Sequence, residues 1–271
     1  MTTHKLLHAD DVERVRQDDP FFAGTLAKGL LILQCFVADP RPHANSELAA
    51  KLGIPRPTVS RLCRSLHTMG YLDHDERLDR YFIGPAAVAL GYPYVIQTPL
   101  LGQLRMPMQA LADKIEGAVS VGVASDLDVV YVETCAFLDG TLRRPGVGAT
   151  RGVMETAMGR AYLTQLSKPA QQNLISRVRA QRPEEYAHCL ASVRENQANA
   201  KQRGFAINLG DAGMGVLAVG VASKIMYGSR NLLFNCAVPG IKNSERDLLT
   251  KIGPALRQLV EAADRLRGNR Y

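Results

Sequence analysis

The tightest constraint on what this 271-residue chain can fold into lies between residues 45 and 70, where two helical patterns meet with almost no chain between them. In the first, Leu48, Ala49 and Leu52 share a face, Asn45 or Ser46 stands where a cap is needed, and Gly53 offers the left-handed backbone that ends a helix. After Ile54-Pro55, Pro57 suits the first turn of a second helix with the apolar stripe Val59, Leu62, Cys63 and Leu66, which Gly70 closes. Upstream, Leu26, Leu30, Leu33 and Val37 recur at helical spacing until Asp39-Pro40 and Arg41-Pro42 stop them. Downstream, Tyr71-Leu72 and residues 80–83 flank the polar run 73–79 as two short strands joined by a charged loop. Three helices and a hairpin predict a winged helix-turn-helix over residues 20–84, preceded by an acid-rich arm, 1–19, expected to be flexible.

Past Gly84-Pro85 the chain changes character, and residues 85–98, with Gly91-Tyr92-Pro93-Tyr94, read as a linker. A helical stripe of Leu100, Leu104, Met108, Leu111 and Ile115 follows, whose first four residues lie close enough to the linker to hold two copies of the chain together, or else pack within their own subunit. Residues 119–124 and 129–132 alternate around Ser125-Asp126-Leu127-Asp128 as a strand hairpin does. Helices are expected near 156–165, 169–179, 188–203 and 243–267, and strands near 205–208, 216–222 and 231–238. The whole is an α+β chain with an α/β second domain, residues 99–271.

The second helix of the N-terminal pair turns Arg56, Thr58, Ser60, Arg61 and Arg64 outward. Such a row suits a major groove, because hydroxyls reach phosphates or either base type and arginine grips guanine with two hydrogen bonds. Lys28 and the hairpin's Arg77 and Arg80 add positive charge, although the last two can instead pair with Asp75 or Glu76. The net charge of +7 does not locate this site: the first 91 residues carry eleven Lys or Arg against eleven Asp or Glu. Within 20–72, however, Lys28, Arg41, Lys51, Arg56, Arg61 and Arg64 face only Asp39 and Glu47.

Together, the runs Thr25-Leu-Ala-Lys-Gly-Leu, Glu47-Leu-Ala-Ala-Lys-Leu-Gly-Ile-Pro-Arg-Pro-Thr-Val-Ser-Arg-Leu, Gly70-Tyr-Leu and Tyr81-Phe-Ile-Gly-Pro resemble the bacterial IclR (isocitrate lyase regulator) family. Residues 117–134, Thr156-Ala-Met-Gly-Arg-Ala-Tyr-Leu and Arg203-Gly-Phe-Ala are similar to that family's effector-binding domain. The resemblance implies a transcription factor that binds double-stranded operator DNA as a homodimer or homotetramer. It also implies a GAF-like domain, joined by a linker helix, that responds to a small metabolite without a cofactor. Carried onto this sequence, the family's effector pocket falls on Ala157, Met158, Asn208, Ala218, Asn235 and Ala237. Where relatives commonly have Asp, Cys and two Ser, this chain has Asn208, Ala218, Asn235 and Ala237, and Met154 stands where a His is usual. Asn donates to a carboxylate that Asp would repel, which favours an organic acid with an apolar body. The alternative is that both asparagines serve strand ends and turns, and that Met154 and Met158 are core.

Other features weigh less. Arg143-Arg144-Pro-Gly suits an anion or open solvent, and residues 210–215 imitate a phosphate-binding glycine loop without the helix such a loop opens. Five widely spaced cysteines and six histidines without metal spacing argue against disulfides and zinc. A rival enzymatic reading would need Cys135, Cys189 or Cys236 with His188 as base. The acidic first twenty residues are unlike an export signal and no apolar run is long enough to span a bilayer, so the cytoplasm is the expected compartment and no membrane partner is expected.

Overall fold

A helix with apolar residues on most sides can bury only one of them, and its neighbours decide which. In the computed structural model, which describes residues 8–96, 99–138, 145–211, 215–227 and 229–268, helix α2 (Gly24–Ala38) buries Leu31, Ile32, Cys35 and Phe36. The stripe read from the sequence mostly points the other way: Leu26 is 63% and Val37 60% exposed, and Leu30 is exposed with them. The preceding helix α1 (Ala9–Asp18) packs Val12 into the same core, and the Asp11 carboxylate caps it by accepting the His8 N–H at 2.9 Å. The described part of the expected flexible arm is therefore helical, its first-turn acids favourably placed on the helix dipole.

The chain divides into two units, residues 1–97 and 98–271. In the first, α3 (Asn45–Leu52) and α4 (Arg56–Thr68) meet through Gly53, whose φ of +64° is the left-handed turn expected there. Neither Asn45 nor Ser46 caps α3. Both lie inside the helix, and the Glu47 carboxylate caps it instead, accepting the Ala44 N–H at 2.9 Å. Leu48, Leu52, Val59 and Cys63 join the α2 face in one core. Strands β1 (Leu72–Asp75) and β2 (Arg80–Ile83) form the hairpin, and His43 adds a bridge to Tyr81. Helix α5 (Pro85–Ile96) runs through the Gly91-Tyr92-Pro93-Tyr94 stretch expected as linker and buries none of its residues.

The second unit is built on alternation of side chains across a sheet, interrupted by register shifts at 121/122 and 222/226. Strands β3 (Ala118–Ser125), β4 (Asp128–Ala136), β5 (Thr150–Gly152), β6 (Ala206–Asn208), β7 (Val216–Tyr227) and β8 (Arg230–Pro239) form an antiparallel sheet in the order β5-β4-β3-β8-β7-β6. Val119, Val121, Val219, Val221, Phe234, Cys236 and Val238 face one core, shared with α6 (Pro99–Lys114) and α11 (Gly253–Gly268). A short helix, α10 (Glu245–Asp247), and a π turn at Leu248–Ile252 lead into α11. Leu104, Met108 and Leu111 lie inside this core, so of the two roles open to the stripe it takes packing within its own chain and not the joining of two copies.

The opposite sheet face carries small residues, Ala118, Ser120 and Gly122 on β3, Ala218 and Gly220 on β7, and Asn235 and Ala237 on β8. Against this face pack α7 (Ala157–Gln165), α8 (Lys168–Gln181) and α9 (Pro183–Arg203), with a second core around Leu127, Met154, Leu163 and Val193. Gly220 is indispensable to this approach, because a Cβ there would stand 2.2 Å from the Ala157 carbonyl. No helix among the described residues is long and apolar enough to cross a membrane.

Candidate functional site

Two places in the chain collect the residues that sequence reasoning singled out. The first is α4. Pro55 precedes it, Pro57 sits in its first turn, and its buried Val59 and Cys63 fix which side faces out. Arg56, Ser60 and Arg64, spaced by four, are exposed along one line with Arg61 beside them, while Thr58 is half-buried. None of these three arginines makes an ion pair among the described residues, and neither do Lys28, half-buried on α2, or Arg77, exposed at the hairpin tip. Asp75 accepts the Arg77 and Leu78 backbone N–H groups at 2.9 and 3.0 Å, so its carboxylate shapes the turn.

Arg80, open from the sequence between a DNA contact and a pair with Asp75 or Glu76, makes an ion pair outside the hairpin. Its Nη1 donates to Glu47 Oε2 at 2.9 Å and to the Pro42 carbonyl at 3.1 Å. Its partner is thus on α3 and not the neighbouring Asp75 or Glu76, because strand pairing carries Arg80 away from the hairpin tip toward the α3 N-terminus.

The second place is a cavity of about 70 Å³ between the small-residue sheet face and the start of α7. It brings together Ala157, Asn208, Ala218, Asn235 and Ala237, five of the six residues carried over from the family resemblance. Met158 is not among them: it is fully buried in the core under Gly122, one residue further round the helix. Met154 is core as well.

The two asparagines on this wall differ. Asn208 spends its Oδ1 on the Gly210 and Asp211 N–H groups at 2.9 and 3.0 Å, and one of its two Nδ2 hydrogens on the Glu155 carbonyl. That is the strand-end role, which leaves it a single amide hydrogen for a ligand. Asn235 is buried and hydrogen-bonded to the Tyr131 phenol, while its Oδ1 has no partner. A buried acceptor without a donor costs roughly 1–3 kcal/mol.

Sequence reasoning missed Ser120, Tyr131, Arg151, Glu155 and Thr156, all on the same wall. The signal for Ser120 was present in the alternation of small residues at 118, 120 and 122 with valines between them. Burial pushes the Tyr131 phenol up to about 12, so it stays protonated. Thr156 caps α7, accepting the Gly159 N–H at 3.0 Å, and the first turn of that helix opens at the cavity wall with its partial positive charge. Arg151, half-exposed, supplies a full one. The site thus offers positive charge from Arg151 and the α7 terminus, and acceptors from Glu155 and Asn235 Oδ1.

The cysteines offer no nucleophile. Burial pushes the Cys189 thiol up to about 11 and Cys236 higher still, while Cys135 Sγ donates to the Arg105 carbonyl at 3.5 Å. His188 is exposed, its Nε2 at 2.6 Å from the Asp211 carbonyl oxygen. Among the described residues no cluster of His, Cys, Asp or Glu could hold a metal ion. The Arg143-Arg144 pair and residues 212–214 of the glycine loop lie outside the described residues.

Residues 25–76 match the family described as the IclR helix-turn-helix domain, and residues 93–265 match the bacterial transcriptional regulator IclR C-terminal family. The HTH-type transcriptional regulator TsaQ1/TsaQ2 of Comamonas testosteroni is 25% identical over 94% of this chain and 92% of its own. The crystal structure of an IclR family transcriptional regulator from Brucella abortus superposes with a TM-score of 0.82 at 26% identity, covering 93% of this chain and 95% of that one. An IclR homologue from Microbacterium hydrocarbonoxydans, complexed with 4-hydroxybenzoate, shares the fold with a TM-score of 0.66 at 16% identity, covering 89% of this chain and 99% of the other.

Proposed function

Because the chain belongs to the IclR family of bacterial transcriptional regulators, we propose that it governs a catabolic operon by docking α4 in the major groove of its operator and sensing a small organic acid in the α7 cavity. Arg56, Ser60, Arg61 and Arg64 read the groove, with Thr58, Lys28 and Arg77 on the phosphates. The acid's carboxylate is held by Arg151 and the first turn of α7, and a hydroxyl elsewhere on it donates to Asn235 Oδ1. The unpartnered Asn235 acceptor is the observation that carries this reading. The enclosed volume of about 70 Å³ takes roughly one polar end of such an acid, its body leaving past the half-exposed Arg151 and Val216. A hydroxylated aromatic acid of the 4-hydroxybenzoate kind, bound by the Microbacterium homologue, fits that division.

DNA is read as a homodimer or a dimer of dimers, since one winged unit spans few base pairs and two-fold operators match two-fold proteins. With the α6 stripe consumed as core, the surface for the second copy is the apolar groove between α1 and α2. Phe21, Leu26 and Leu30 are exposed along it, and α5 is a second uncovered face with no charged residue.

Titrating the DNA upstream of the regulated genes, with and without 4-hydroxybenzoate, tests all of this at once. Expected are two or four protomers per site, a change in affinity on adding the acid, and a loss of about 1–3 kcal/mol for Arg61→Ala on that site but not on scrambled DNA. Binding by single protomers, or indifference to every acid of a hydroxylated and non-hydroxylated panel, would overturn it.

A further inference from the structure

The Glu47 carboxylate joins three parts of the first unit. It caps α3 through the Ala44 N–H at 2.9 Å, takes Arg41 Nη1 from the α2–α3 connection at 3.2 Å, and takes Arg80 Nη1 from β2 at 2.9 Å. The Ala44 hydrogen bond, helped by the two guanidinium groups, holds its carboxyl down to about 2. Arg80 also donates to the Pro42 carbonyl, so one guanidinium ties the hairpin to both ends of the turn that opens α3. Beneath this cluster His43 is fully buried. Its backbone bridges Tyr81 in both directions at 2.8 and 2.9 Å, its Nε2 meets the Asp39 carbonyl at 2.9 Å, and its Nδ1 stands 3.8 Å from Glu47 Oε2.

We propose that Glu47 and Arg80 are positioning residues for operator recognition: through their ion pair they fix the hairpin against α3 and so set where Arg77 stands relative to α4. Arg80 then contributes to DNA affinity without touching a phosphate. This rests on the reading of α4 as the DNA-reading helix. The observation behind it is that Arg80 Nη1 spends both its hydrogens inside the unit, on the Pro42 carbonyl and on the carboxylate that caps α3, which ties its strand to that helix whatever its other nitrogens meet. Arg41 shares Glu47 but is also held by Asp39 at 3.0 Å and carries no strand, so it anchors the cluster without moving the hairpin.

The test compares Arg80→Met, Glu47→Gln and their combination in the full-length protein, with operator affinity measured over a range of salt below each variant's melting temperature. A phosphate contact and a positioning contact predict opposite results. If Arg80 is a positioning residue, each single variant weakens operator binding about tenfold or more, and the combination is no weaker than either alone. The slope of log affinity against log salt falls by the same amount in both, because either variant lets Arg77 leave its phosphate, and Arg80→Lys, which keeps the pair, recovers most of the loss. If Arg80 touches a phosphate, Arg80→Met flattens the slope by about 0.9, the release of one counterion, while Glu47→Gln keeps the parent slope and binds as tightly as the parent or more tightly, since it frees Arg80 and removes a negative charge. A Glu47→Gln variant that keeps the parent slope and binds at least as tightly overturns the proposal, as does an Arg80→Met variant with parental affinity. Should Glu47→Gln fail to fold, an Arg77→Ala background decides: there Arg80→Met costs nothing further if it acts by placing Arg77, and still flattens the slope if it meets a phosphate itself. Loss of operator binding by Arg61→Ala alone, with Arg80→Met unaffected, would leave the α4 reading standing and remove only the positioning role.

Discussion

The two units treat charge in opposite ways. In the first, Glu47 is a third exposed and its arginine partners lie at the rim, while Arg56, Arg61 and Arg64 on α4 have no ion-pair partner among the described residues. In the second, Arg160 is 1% exposed, donating to the Met154 carbonyl at 2.9 Å, the Ile207 carbonyl at 3.1 Å and the Asp211 carboxylate. A surface that reads an external polyanion has to keep donors unspent. A cavity has to fix every polar group of its walls except those meant for the occupant, and here the network around Arg160 holds the end of β6, where Asn208 sits, and the turn that follows it. The comparison breaks most visibly at Arg160: Arg160→Met leaves the half-buried Asp211 carboxylate and the Met154 carbonyl without their donor, while the Ile207 carbonyl keeps Asn196, and is expected to cost about 3 kcal/mol in chemical unfolding. A loss under about 1 kcal/mol would mean that the cavity wall does not depend on it.

Within the cavity the same contrast recurs between two asparagines, and it sharpens to a difference in size. Asn208→Ala deprives the Gly210 and Asp211 N–H groups and the Glu155 carbonyl of their partner, so it is expected to lower stability by about 1–3 kcal/mol whether or not a ligand is present. Asn235→Leu removes an acceptor that has no donor together with the hydrogen bond to the Tyr131 phenol, two effects of opposite sign, so the ligand-free protein is expected to melt close to the parent temperature while losing the rise produced by a hydroxylated acid. Melting curves of both variants with and without 4-hydroxybenzoate decide it. Equal destabilisation by the two substitutions would show that both asparagines are wall.

What was legible in the sequence follows from the same physics. The α3–α4 turn was readable because Gly53, Pro57 and Gly70 each restrict the backbone locally, and the sheet because valines alternate with small residues. The inner face of α2 was not, since Leu26, Leu30, Leu31, Ile32, Leu33 and Val37 surround that helix and periodicity alone could not choose between faces. Nor was the fate of the Leu104, Met108 and Leu111 stripe, because burial against one's own sheet and burial against a second copy leave the same pattern. Five cavity residues were found through resemblance. Tyr131, Arg151 and Glu155 were missed because strand register and the path of a connection bring them to the wall, and neither is written in local spacing. The partner of Arg80 was missed for a related reason: Glu47 is 33 positions away.

The smallest expected effect contrasts the two units by their acids. Glu47 titrates at about 2 in the folded protein against an ordinary value of 4.5, so between those values the unfolded chain binds a proton that the folded one refuses. Its contribution is complete above about pH 4.5 and is lost as pH falls toward 2. Glu185, buried on α9, goes the other way. Burial raises its carboxyl above 4.5, with Glu155 adding to the effect and Arg182 opposing it, so the folded protein holds a proton the unfolded one has released. Stability is therefore lost as pH rises from 4.5 through the raised value. Subtracting the parent's melting temperature from each variant's isolates the two groups from every other titration. The difference for Glu47→Gln is expected to fall as pH rises toward 4.5, because the parent alone gains there. That for Glu185→Gln is expected to climb above 4.5, because the parent alone loses. Slopes of the same sign in the two variants would show that the rim carboxylate and the buried one are held alike, and that the contrast between the units stops at their arginines.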